Sequence, residues 1–181
     1  MADRFASISP ELAEWWAAQP VFFVATAPAG TDGHVNLSPK GHDTLRILGP
    51  NRVAYLDLTG SGVETIAHLR ENGRITLMAC AFNGNPQISR IYGTGTVHPL
   101  GAPGFDALAA EFPDLPGRRS VIEIEVERVS TSCGYAVPLM DLVDERDRLI
   151  EWAKKKGDDG IVKYWGNKNA HSIDGLPGLP A

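Results

Sequence analysis

The spacing of apolar and polar positions divides the chain into short strands, with helices between and after them. Val21 to Thr26 is an unbroken apolar run and predicts a buried strand. The turn Pro28 to Gly33 joins it to a second strand, His34 to Lys40, as a hairpin. In that second strand a period of two puts Asn36, Ser38 and Lys40 on one side and Val35 and Leu37 on the other. Pro39 marks it as an edge strand or its end. Gly41 to Asn51 reads as a loop holding His42 and Arg46. Arg52 to Leu58 is the next strand. It turns through Thr59-Gly60-Ser61-Gly62 into a helix carried by Val63, Ile66, Ala67 and Leu69 and stopped at Asn72-Gly73. Arg74 to Phe82 and Gln87 to Val97 are further strands, and Gly93 and Gly95 in the latter suggest a bulge or a close backbone approach.

Val121 to Val129 alternates almost perfectly, with Ile122, Ile124 and Val126 inward and Glu123, Glu125 and Glu127 outward, as in a half-buried antiparallel strand. Helices are expected at Ser9 to Ala18, capped by Ser9 with Pro10 at its first position, and at Pro103 to Glu111. The longest is expected at Leu139 to Lys156, supported by Asp144–Arg148 and Glu151–Lys155 pairs and ended by Gly157. A short helix follows from Asp159 to Lys168, then an irregular Gly- and Pro-rich tail from Asn169 to Ala181. About six strands with short connections predict an α+β fold built on a small antiparallel barrel or strongly bent sheet.

The 181 residues suit one domain with a full core, and the hydrophobic share of 43% excludes disorder. A net charge of −5 argues against nucleic acid as a partner, and Lys154-Lys155-Lys156 beside Asp158 and Asp159 reads as a solvated helix end. No apolar run approaches a membrane span and no signal-peptide pattern is visible, so a cytosolic setting is the default. Cys80 sits in an apolar run as a buried thiol, and two cysteines make no disulfide framework. The five histidines form no close ligand pair, so no metal is expected.

The turn after the Arg52 strand is the candidate chemistry. A hydroxyl- and glycine-rich turn opening a helix suits a phosphate, through unpaired N–H groups and the helix dipole. The same residues also read as a capping box, with Ser61 as N-cap and Glu64 reaching back to it. Gly60-x-Gly62-x-x-Thr65 is one residue short of a dinucleotide fingerprint, but the next strand ends in Met78-Ala79-Cys80 with no acidic ribose ligand. No catalytic triad is readable.

The run HVNLSPKG, then YLDLTGSGVETIAHLRENGRITLM, then ISRIYGTGTV resembles the pyridoxamine 5′-phosphate oxidase-like superfamily of FMN-binding split β-barrels, over roughly residues 18 to 130. TSCGYAVPLM and NAHSIDGLPG resemble features of a bacterial branch of it. The resemblance implies a single split-barrel domain over 1–181, with 139–181 as a helical and irregular extension. It also implies a homodimer with FMN in a groove between subunits, and an FMN-dependent oxidoreductase acting on a small molecule. Alternatives are a non-catalytic flavin-binding or storage protein, or a relative using deazaflavin F420 or haem. Carried over by position, Ser38 and Lys40 match the first flavin-contacting strand, Thr59 a hydroxyl contact, and Ser61, Gly62 and Thr65 the helix start at the phosphate. Glu64-Thr65 stands where the true oxidases carry an Arg-Lys phosphate clamp, which leaves Arg90 as the best placed cation. The Tyr, Arg and Ser set that holds pyridoxamine phosphate is not recognisable. The flavin would do the hydride chemistry, so no catalytic side chain is named.

Overall fold

The computed structural model describes residues 3–179. Eight strands among them form one antiparallel sheet: β1 (Asp3–Phe5), β2 (Phe22–Thr26), β3 (Asn36–Lys40), β4 (Leu45–Gly49), β5 (Arg52–Leu58), β6 (Arg74–Cys80), β7 (Ile88–Pro99) and β8 (Arg118–Ser132). Their order is β3-β2-β6-β7-β8-β5-β4, with β1 paired to β8. Hairpins join β2 to β3, β4 to β5 and β6 to β7. The sheet is the curled sheet of a split barrel, and β3 and β4 are its edge strands. Pro39 sits on the β3 edge, where its missing N–H breaks no ladder.

The strand alternation decides the core. Val24, Leu77, Ile91, Ile122 and Ile124 point inward and are fully buried. Helix α2 (Glu64–Asn72) closes the barrel with Ile66 and Leu69. Gly93 takes the bulge between β7 and β8, where a Cβ would run into the Glu125 carbonyl. Helix α1 (Pro10–Ala17) is capped as expected, with Leu12 N donating to Ser9 Oγ at 3.2 Å. It drives Trp16 into the core, where the indole donates to Ser89 Oγ at 3.0 Å. A second cluster packs helix α3 (Phe105–Ala109) through Phe105 and Leu108 against Leu56 and Val121.

Four expectations need correction. The loop assigned to 41–51 contains β4, whose apolar positions Leu45 and Ile47 pack on the core. The N-terminal β1 was not anticipated, because its three exposed residues carry no alternation. The long helix starts nine residues late. Helix α4 runs Arg148–Lys168 and bends at Gly157 (φ 65°, ψ 170°), so the break expected there is real. Residues 139–147 are not helical, and with Asp144 outside the helix the Asp144–Arg148 pair does not support one. The capping box is absent as well: the N-cap of α2 is Val63, without a side-chain bond, and Glu64 Oε1 instead accepts from Ile173 N. Of the tail, Asn169 to Leu179 is ordered against the barrel, and Pro180 and Ala181 lie outside the described residues.

Candidate functional site

Where β3 and β5 end side by side, the chain leaves a pocket of about 580 Å³, within the range of small-molecule and cofactor sites. Its inner wall is apolar, formed by Pro20, Val21, Leu56, Leu58 and Phe82. Lys40 enters from the end of β3, beside Gly41, His42 and Thr44. The outer wall is the segment from Met140 to Leu149, including Leu142 and Arg146. His42 and Asp43 both hold left-handed backbone, at φ 60° and 54°, which bends the chain sharply at the pocket rim. His42 Nδ1 stands 3.6 Å from Glu145 of the outer wall.

Behind the pocket lies a buried charge system that the sequence reading missed. Asp57 is fully buried on β5. Its Oδ2 accepts from Arg119 Nε at 2.8 Å and from Ser120 Oγ at 3.1 Å. Its Oδ1 makes no hydrogen bond and faces Lys40 Nζ at 3.6 Å. Burial opposes the carboxylate's charge, but Arg119, Lys40 and the two hydrogen bonds outweigh it and hold the pKa below the usual value. Two cations therefore share one carboxylate. The side chain of Arg119 is almost fully enclosed and spends its bonds on the protein, so the surplus positive charge resides on Lys40, which reaches the pocket.

Arg119 also links this system to the turn before α2. Its Nη1 donates to Gly62 O at 2.8 Å and to Asn169 Oδ1 at 3.1 Å. Asn169, fully buried, donates to Gly60 O at 3.1 Å and Ser61 O at 3.3 Å. Asp57 gave one sequence signal, a lone carboxylate in an otherwise apolar strand. Arg119 and Asn169 gave none, because they act across 50 to 109 residues of chain.

The candidate residues read from the sequence separate into four groups. Lys40 lies in the pocket. Ser38 shares its side of β3, as period two requires. Thr59, Ser61 and Gly62 lie on the turn, and the protein itself engages them. Thr59 Oγ1 donates to Gly117 O and accepts from Trp165 Nε1, both at 2.8 Å. The Ser61 and Gly62 carbonyls take the bonds just described. Thr65 faces the barrel interior, where Asn36 Nδ2 donates to its Oγ1 at 3.0 Å and to Thr26 Oγ1 at 3.2 Å. Thr26 in turn meets His68 Nδ1 at 3.0 Å. His68 is fully buried, its Nε2 has no partner, and burial lowers its pKa. Arg90 stands apart on the outer face of the sheet, 3.5 Å from Ser132 Oγ. It forms no ion pair with Glu64 or any other described residue. Among the described residues no three His, Cys, Asp or Glu side chains gather as metal ligands, and no helix is long and apolar enough to cross a membrane.

A curled antiparallel sheet with a pocket between the ends of β3 and β5 defines a split-barrel protein. The sequence model of pyridoxamine 5′-phosphate oxidase matches residues 8–133, and the chain belongs to that family. A family protein of Aspergillus flavus, ustO, is 40% identical, over 97% of this chain and 77% of its own length. Two solved structures share the fold. HupZ of Group A Streptococcus is 25% identical with a TM-score of 0.53, over 67% of this chain and 91% of that one. A protein of Lactobacillus delbrueckii described as a putative pyridoxamine 5′-phosphate oxidase is 19% identical with a TM-score of 0.53, over 69% and 94%. The match to the family's sequence model ends at residue 133, before the outer pocket wall of Met140 to Leu149.

Proposed function

We propose that this protein is a cytoplasmic, homodimeric, FMN-dependent oxidoreductase acting on a small molecule, with the flavin in the pocket between β3 and β5. The observation that carries the reading is Lys40: a cation held at 3.6 Å by a buried carboxylate that Arg119 already neutralises, at the wall of a largely apolar pocket of about 580 Å³. Such a site fits a flat, largely apolar group that gains negative charge. Bound flavin would supply hydride transfer. Lys40 stabilises negative charge at that end of the pocket, because its ammonium is fixed in place and shielded from bulk water. Asp57 orients Lys40. Leu56, Leu58 and Phe82 exclude water from the apolar part, and Arg146 stands at the rim beside Asp144 and Glu145.

The test is the absorbance of the purified protein and its titration with FMN. Oxidised-flavin bands and tight FMN binding, weakened in Lys40→Met, are expected. A deazaflavin band, a Soret band, or no chromophore and no FMN binding would overturn the assignment. Turnover with NAD(P)H and an electron acceptor separates an enzyme from a flavin carrier.

A further inference from the structure

Two uncovered surfaces of this chain complement each other. The first is the outer face of the sheet. Phe23, Met78 and Arg90 stand in one cross-strand row, and Leu37, Tyr92 and Arg128 in the next. The core lies on the other side, where α2 seats Leu69 over Gly95 and Ile75. This outer face carries apolar area, with Leu37 64% exposed. It also carries two arginines that pair with no carboxylate among the described residues, and Arg90 is half-buried.

The second surface is the arm from 138 to 147. It has no regular structure, and its backbone is tied to the barrel by Met140 N donating to Phe82 O at 2.9 Å. One side of the arm, with Met140 and Leu142, is the outer wall of the pocket. The other presents Leu139, 81% exposed, and Val143, 96% exposed, with the unpaired carboxylate of Asp141 between them. Large apolar side chains held this openly on both sides of an arm signal a missing cover.

We propose that the arm of each copy docks on the outer sheet face of a second copy. Leu139 and Val143 pack on the apolar rows, and Asp141 pairs with Arg90. This rests on the homodimer proposed above and adds which segment builds the interface. The occupant is a second copy of this chain because both halves are on the chain, and the Asp141 carboxylate is opposite in charge to the Arg90 guanidinium, which has no ion-pair partner among the described residues. A twofold axis satisfies both at once and pairs a half-buried guanidinium with an anion. The partner then holds the arm closed over the pocket, so the flavin site is complete only in the dimer.

The test is sedimentation of the full chain as a dilution series, with FMN affinity measured on the same samples. Wild type should be a dimer. Val143→Asp, at a position exposed in the single chain, should weaken self-association roughly tenfold or more, and FMN binding should weaken where the variant is monomeric. Arg90→Glu and Asp141→Arg should each weaken the dimer, and the double reversal should restore it. A monomeric wild type would remove the homodimer itself. A dimeric wild type with Val143→Asp and Leu139→Asp equally dimeric would refute the arm as its interface and leave the homodimer standing. Failure of the double reversal to restore association would refute the Arg90–Asp141 pairing.

Discussion

Replacing Asp57 by Asn tests the charge system behind the pocket with almost no change of shape. The substitution leaves Lys40 and Arg119 without a counter-charge, with their side chains 21% and 4% exposed. Removing one partner of a buried ion pair costs about 3–5 kcal/mol. Asn retains a carbonyl that can accept from Arg119 Nε, so the lower end, about 3 kcal/mol, is expected. At roughly 2–4 °C per kcal/mol for a chain of this size, the melting temperature should fall by roughly 6–12 °C in calorimetry at neutral pH. Lys40→Met should cost under about 1 kcal/mol, because it removes a single 3.6 Å contact from a partly solvated group. The difference between the two variants separates the residue that anchors the fold from the one that lines the pocket. The folded pKa of Asp57 is depressed, so its stabilisation is present above the ordinary carboxylate value of about 3.9 and is lost as pH falls from there through the folded pKa. Asp57→Asn should lack that acid-side loss. A melting temperature within about 2 °C of wild type would refute the reasoning, since it would mean that Arg119 and Lys40 need no anion.

Other substitutions probe the turn, the bulge and the barrel interior. Thr59→Val leaves the Trp165 indole N–H without its acceptor and should cost about 1–3 kcal/mol in urea denaturation, without altering the preference for FMN over riboflavin. A lost preference would return Thr59 to the phosphate site. Gly93→Ala forces a methyl against the Glu125 carbonyl in the bulge, so a loss of about 1–3 kcal/mol is expected, and an unchanged denaturation midpoint would show that the bulge relaxes freely. His68 has a folded pKa below its usual value of about 6.5, so the unfolded chain takes up the proton first and stability falls as pH drops below that value. His68→Asn should therefore show a smaller loss of stability between pH 7.5 and 5.5, and an identical loss would exclude His68 as its source.

The strands and the first helices were legible because their signals are local. Val121 to Val129 alternates, Ser9 and Pro10 announce α1, and the Arg52 strand turns into α2 through its own glycines. The β1 strand and β4 were not legible, since a strand of three exposed residues, or one spanning five half-buried positions, shows no clear period. The helix expected from Leu139 failed for a different reason. Leu142, Val143 and Leu149 suit helical spacing, but in the fold the segment serves as a pocket wall, and tertiary placement overrode propensity. Lys40 could be picked out as a candidate from its strand alone.

That Lys40 faces a buried carboxylate shared with Arg119, while Thr59 is bonded to Gly117 and Trp165, was decided only when β5, β8 and the C-terminal segment came together. Charge balance depends on which groups are enclosed with one another. Asp57, Arg119 and Asn169 are enclosed together by the fold and not by their spacing in the chain. The local pattern determined that a curled antiparallel sheet would form, because burying one face of each strand is a nearest-neighbour matter. Where its surplus charge would stand, and which apolar residues would remain uncovered, are sums over distant residues that no single stretch contains.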